Sequence, residues 1–313
     1  MRRTGNRVRR RKSRLGRTDA VQGYLFASPW LIGFLCLTLG PMLFSLGLSF
    51  CRWDLNMPGS QRFVGILNYA ELLFNDRLLW KALYNTAYYS FFGVPLAMIM
   101  ALTLAMLLNQ KVKGIYFYRT VFYLPSIVAG VATIVMWQWL FNPEFGMVNE
   151  ILGFFGLPRP GWLVQPAWCK PVLIIMRVWT VGAAMLIYLA GLQGIPQHLY
   201  EVADIDGAGP IRKFFAITLP MLTPTIFFNL VMSIIGSFQI FTAAYVLVGN
   251  PMLGGPDDSL LFYVYYLYRS AFVTFRMGYA SAMAWILFVI ILAFTMLVIR
   301  SSGLWVYYEG ERR

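Results

Sequence analysis

The stretch Tyr200–Pro224, YEVADIDGAGPIRKFFAITLPMLTP, decides how the rest of the chain is read. Three carboxylates, Glu201, Asp204 and Asp206, fall within six residues of an otherwise strongly apolar protein. Pro196, just upstream, suits the first turn of a short helix, where its missing N–H costs nothing. Gly207 suits the end of that helix, where a left-handed residue closes the last turn, and Gly209-Pro210 prevents simple continuation. Between these marks Leu199, Val202 and Ala203 share one helical face, while Glu201 and Asp204 lie three apart on another. Ala203 and Gly207 leave a notch of small residues that a second protein can approach closely. The pattern predicts a short amphipathic docking helix hung between two membrane spans. A solvated interfacial connector is the plainer alternative. The acidic content weighs against it, because cytoplasmic loops near lipid are enriched in Lys and Arg.

The surrounding composition is that of a membrane protein. Of 313 residues, 59% are hydrophobic and 12% charged, with a mean hydropathy of +0.62. Those values exclude an ordinary soluble domain. The net charge is +13, but residues 1–23 hold nine Arg or Lys and one Asp, so +8 of it is local. The remainder sets 17 basic against 12 acidic residues, which argues against nucleic acid as a partner. The basic tail over 1–23 is expected to be solvated and to hold the N-terminus in the cytoplasm. The apolar run after it is longer than a signal-peptide core, so a cleavable signal is not expected.

Hydropathy predicts six spans, near 24–50, 83–109, 115–141, 171–192, 222–248 and 279–300, each long enough to cross a bilayer. The fold class is therefore all-α, a polytopic membrane domain over 24–313. With the N-terminus inside, the 110–114 connector, the 193–221 loop and the C-terminus are cytoplasmic. Lys111, Lys113 and Arg119 flank the first of these without a carboxylate, in keeping with the positive-inside bias. Connectors 51–82, 142–170 and 249–278 then face outward. Pro29, Gly33, Gly40 and Pro41 predict a bent or interrupted first span, and Pro95 a kink in the second. Phe63–Leu73 has helical spacing and is expected to lie on the outer surface. The stretch through Gly153, Gly156, Pro158 and Pro160 reads as a loop.

Few residues in the spans carry chemistry. Asn229, Ser233 and Ser237 recur every four residues with Gly236 beside them, and Gln239, Thr242 and Tyr245 continue the polarity outward. Such a stripe is either polar glue between helices or the lining of a solute path. Arg177 lies about 9 Å down the fourth span from Pro171 at the helical rise. It can snorkel to the interface, face a wet cavity, pair across helices or meet an anionic solute. Trp137 and Trp139 read as interfacial anchors ahead of sugar-stacking rings. No G-x-x-x-x-G-K-[ST] loop is present, and the single His198 makes neither a metal site nor a catalytic dyad. Cys36, Cys51 and Cys169 lack C-x-x-C spacing, although Cys51 and Cys169 share the outer side and leave a disulfide open. No catalytic or metal-ligating set is expected.

Glu201-Val202-Ala203, Gly207 and Ile217-Thr218-Leu219-Pro220 together resemble the EAA signature of binding-protein-dependent ABC importer permeases. Val202 in place of the middle Ala is a small departure. The carbohydrate branch of that family, which serves maltose, oligosaccharides and glycerol-3-phosphate, is resembled over residues 24–300. The further matching stretches are FVGILNY (Phe63–Tyr69), KALYNT (Lys81–Thr86), Leu124-Pro125, NPEFG (Asn142–Gly146), YVLVGNPMLGGP (Tyr245–Pro256, with a small insertion) and MGYASAMAW (Met277–Trp285).

The resemblance implies a type I importer permease fold in a bacterial cytoplasmic (inner) membrane, working by alternating access. It implies as partners a second homologous permease, an extracellular or periplasmic solute-binding protein, and two ATPase subunits that carry the ATP and Mg. This chain itself would hold no cofactor. Glu201, Ala203, Asp204 and Gly207 would transmit force from the ATPase. Asn229, Ser233, Gly236, Ser237, Gln239 and Tyr245 would line the path of an oligosaccharide-type solute. An ion-gradient-driven secondary sugar transporter is the alternative, but neither membrane-buried carboxylates nor an internal repeat can be read in the spans.

Overall fold

A computed structural model describes residues 14–57, 59, 61–110 and 112–307. Most of the predicted basic tail, Lys111 and the extreme C-terminus lie outside the described residues. The first helix begins at Arg14, inside the stretch expected to be tail.

Four helical segments are long and apolar enough to cross a membrane: Val21–Ser49, Arg77–Leu108, Pro210–Val248 and Met277–Trp305. Two further pairs pass the same test but are bent, Ile115–Ile127 with Gly130–Leu140 by 96° and Pro166–Trp179 with Gly182–Gln193 by 46°. Counting each pair as one span gives the six that hydropathy predicts. The third and fourth spans are thus not single helices. Pro125 is absorbed inside a helix, and the chain turns instead at Val128 and Ala129, both extended, with Gly130 opening the next segment. A central helix that bends cannot stay hydrogen-bonded in lipid unless other protein or a wet cavity meets the freed backbone.

The 32-residue helix Arg77–Leu108 sits at the centre. Asp76 caps it, accepting from the backbone N–H groups of Leu78 and Leu79 at 2.8 and 3.1 Å. Gly93, Ala97, Ala101 and Ala105 repeat every four residues and are all buried. That small-residue ridge lets Pro166–Trp179, Gly182–Gln193 and Leu219–Phe238 pack closely on it. Gly182 is needed for a second close approach, since a Cβ there would lie 2.7 Å from the Phe122 carbonyl oxygen of the third span.

Two local π turns, Phe34–Leu39 and Phe214–Thr218, each run up to a proline, Pro41 and Pro220. The proline offers no N–H and its ring crowds the turn before it, so a wider turn is the less costly way to continue the helix. The first span is therefore adjusted by a π turn ahead of Pro41, with Pro29 inside regular helix, and is not broken. The fifth segment starts at Pro210 instead of near 222, because Pro210 is well suited to a first helical position and the π turn carries the helix on to Pro220. It breaks again at Gln239–Phe241 before a final turn over Thr242–Val248.

The expected outer connectors are more structured than loops. Arg62–Phe63 pairs antiparallel with Cys51–Arg52, in register Cys51 with Phe63 and Arg52 with Arg62. Gly65, at φ +58°, then delays helix until Leu67. Met147–Phe154 is helical, and buried Asn149 fastens the turn after it, holding the Pro160 carbonyl at 3.2 Å and the Trp162 indole N–H at 2.8 Å. Two apolar cores result. One gathers Leu72, Leu79, Cys169, Phe262, Tyr263 and Met283 at the hairpin end. The other gathers Ala101, Ala105, Met185, Tyr188, Leu192 and Leu222 toward the 193–221 loop. All three cysteines are free, Cys169 buried in the first core.

Candidate functional site

The acidic stretch folds as predicted into a short helix, Gln197–Ile205. Pro196 caps it, one position before the first turn, and its carbonyl accepts the Leu199 N–H at 3.2 Å. At the other end Gly207 is left-handed, with φ +71°. The Gly207 N–H reaches the Asp204 carbonyl at 3.1 Å and the Ala208 N–H the Ala203 carbonyl at 2.8 Å. This paired closure is a Schellman cap, which terminates the helix at a defined residue.

Two side-chain ties hold the helix against the start of the fifth segment. The Lys213 ammonium pairs with the Asp204 carboxylate, and the Tyr200 and Thr218 hydroxyls meet at 2.9 Å. Leu199, Tyr200 and Ile217 back onto the inner core. Leu199, Val202 and Ala203, expected on one face, line a groove of about 320 Å³ together with Ala208, Lys213 and Ile217. Glu201, Asp206 and Gly207 stand exposed. Beside them Val202, Ile205, Ile211 and Phe215 leave 55, 86, 74 and 62% of their surface uncovered. Val202 and Ile205 on the capped helix, with Ile211 and Phe215 on the segment that follows, thus form an exposed apolar patch.

Deeper in the bundle, a cavity of about 580 Å³ opens where three helices lose their regular backbone, at Val128, Thr180 and Phe241. Hydroxyls of Ser126, Thr133, Thr180 and Thr242 line it with Tyr89 and Arg177. Arg177 does not snorkel. Its guanidinium lies over the Tyr89 ring, 5.3 Å from the centroid, and donates to the Ser233 carbonyl at 3.2 Å. A cation inside a span costs up to about 2.5–3.5 kcal/mol even on the mildest scale, and the Tyr89 ring, the Ser233 carbonyl and the cavity hydroxyls offset that cost.

The predicted polar stripe is divided among different environments. Asn229 and Ser237 are buried and bond back to their own helix, to the Thr225 carbonyl at 3.0 Å and the Ile234 carbonyl at 2.8 Å. Ser233 is half-buried and meets Arg177 through its carbonyl. Gly236 and Gln239 are exposed, and Tyr245 stacks on Phe241 at 5.4 Å. Trp137 stacks on Phe141 inside the protein, whereas Trp139 is exposed as an interfacial anchor would be. Hydropathy did not single out Tyr89, Ser126, Thr133 and Thr180. The available signals were the Pro125-Ser126 and Thr180 interruptions of otherwise apolar runs.

A family model described as the binding-protein-dependent transport system inner membrane component matches residues 93–307. Among similar proteins, the probable ABC transporter permease protein YesP of Bacillus subtilis is 45% identical, over 96% of each chain. The arabinooligosaccharides transport system permease protein AraP of the same organism is 33% identical, over 92% of this chain and 90% of its own. Among solved structures, a bacterial alginate ABC transporter in complex with an alginate pentasaccharide-bound periplasmic protein gives a TM-score of 0.82. It covers 93% of this chain and 97% of its own at 24% identity, which establishes the shared fold.

Proposed function

The chain belongs to the binding-protein-dependent transport system inner membrane component family, and from that premise we propose how it works within a carbohydrate importer. It is one of two homologous permeases. Two ATPase subunits hold ATP and Mg, and a solute-binding protein delivers an oligosaccharide to the hairpin end, which faces outward. The 193–221 loop and both termini face the cytoplasm. Relatives named for arabinooligosaccharides and lactose transport support a saccharide cargo.

The observation that carries the coupling role is the exposed, rigidly capped helix Gln197–Ile205 with its uncovered Val202 and Ile205. Docked in an ATPase cleft, it would bury those side chains and present Glu201 to the partner. Closure of the ATPase pair on ATP would pull the helix. The Lys213–Asp204 and Tyr200–Thr218 ties would pass the displacement to the fifth segment, which borders the cavity at its Gln239–Phe241 break. Solute would then be released by rearrangement around the three helix breaks. Asn229, Ser233, Gly236, Ser237, Gln239 and Tyr245 remain the proposed pathway residues of this segment.

The test is ATP-driven uptake by the complete complex in proteoliposomes. Glu201→Ala should leave the purified complex as thermostable as the parent and yet lower uptake at least about tenfold, the least that losing one hydrogen bond to a charged group implies. Uptake that follows an imposed proton or sodium gradient, unaffected by Glu201→Ala, would refute the proposal.

A further inference from the structure

We propose that Arg177 makes the membrane cavity a recognition site for a carboxylate, so that the transported saccharide is acidic. This deepens the importer proposal above and rests on it. Arg177 is half-buried within a bent span and lines the cavity at the level where three helices break. Its flat face is taken by Tyr89 and one N–H by the Ser233 carbonyl, at 3.2 Å. A guanidinium has five N–H donors in a planar fork, so the remaining edge can grip a carboxylate with two parallel bonds. No Asp or Glu lines this cavity, and among the described residues Arg177 enters no ion pair. Among the described residues the charge is thus positioned without a protein counter-ion.

The rest of the lining fits a sugar acid in place of a bare anion. Ser126, Thr133 and Thr180 donate their hydroxyl protons to backbone carbonyls at 2.7, 3.4 and 3.1 Å. Their oxygens keep lone pairs that can accept from sugar hydroxyls. Phe241 adds an aromatic face. About 580 Å³ lies within the usual range of sites that enclose small ligands. A neutral sugar would leave the guanidinium edge unsatisfied, which is the condition under which a polar site discriminates most strongly.

The experiment compares uptake of trigalacturonate and of its fully methyl-esterified form by the complete complex, in the parent, Arg177→Gln and Arg177→Lys. The parent should favour the free acid by at least about tenfold, the least that one hydrogen bond to a charged group is worth. Arg177→Gln should bring the two rates together by slowing the acid alone, and Arg177→Lys should retain part of the preference. Equal loss of both probes in Arg177→Gln would assign Arg177 a purely structural role. A preference that survives Arg177→Gln, or a parent complex driven by neutral oligosaccharides alone, would overturn the acidic assignment and leave the importer standing. No ATP-driven uptake of any saccharide would overturn the importer proposal itself, and this inference with it.

Discussion

Residues 193–221 and 249–278 are the two connectors that flank the fifth span, both interrupted by Gly and Pro and both carrying carboxylates. In the structure they have opposite environments. From Leu260 to Tyr266 the second connector is a plug: Leu260, Leu261, Phe262, Tyr263 and Tyr265 are all at most 1% exposed. Its polar groups are met from neighbouring helices. Asn85 donates to the Asp258 and Leu261 carbonyls at 2.8 and 3.0 Å, and the Thr86 hydroxyl oxygen accepts the Tyr263 N–H at 3.0 Å. The Tyr266 hydroxyl reaches Asp76 at 2.6 Å, and the Tyr279 hydroxyl meets the same carboxylate. The first connector has a defined cap and two side-chain ties, yet Ile205 is 86% exposed. A connector whose groups are satisfied by its own chain serves the fold. One that is ordered and still uncovered is what the proposed docking on the ATPase requires.

Mutations that separate stability from transport should break or sharpen this contrast. Phe262→Ala in the plug should destabilise the protein by about 3–5 kcal/mol, the cost of emptying a buried aromatic site, read as loss of a cooperative melt in detergent. Asp76→Ala removes a helix cap and orphans two tyrosine hydroxyls. A loss of about 3 kcal/mol or more is expected from the cap and the two unsatisfied hydroxyls together, visible as a lowered Tm.

Alkaline pH should act on the same region. Burial, and then the neighbouring Asp76 carboxylate, push the Tyr263 and Tyr266 phenols up from 10.0. The folded state therefore holds these protons more tightly than the unfolded one. Their contribution is fully present below pH 10 and is lost as pH rises above it, so the melt should be flat through neutrality and fall beyond pH 10.

On the exposed connector the ranking reverses. Ile205→Ser should change stability by no more than about 0.5 kcal/mol, while ATP-driven uptake falls and the ATPase subunits dissociate more readily on purification. A stability loss as large as that of Phe262→Ala would mean the two connectors do not differ in kind. Lys213→Ala should have the smallest effect on uptake, a partial loss, with a melt lowered by about 0.2–1 kcal/mol for a partly exposed ion pair.

The short helix Gln197–Ile205 was legible in the sequence because its signals are local: a proline before it, Gly207 after it, and a carboxylate rim between. The six apolar stretches were legible for the same reason, since crossing lipid needs only length and apolarity. The plug was not. Its tyrosines look like interfacial residues until Asn85, Thr86 and Asp76, more than 170 positions earlier, are brought against them. Arg177 shows the same limit. Its sequence position left snorkelling and a cavity both open, and only the Tyr89 ring and the Ser233 carbonyl, from two other helices, placed it.

The chain's own residues thus determined the membrane class, the spans and the short acidic helix, because hydrophobic length, backbone restriction at Pro and Gly, and capping act within one or two turns. Tertiary structure decided where the third, fourth and fifth spans break, which connector is buried and what faces Arg177. Those outcomes depend on backbone and side-chain groups from distant segments satisfying one another where no water reaches them.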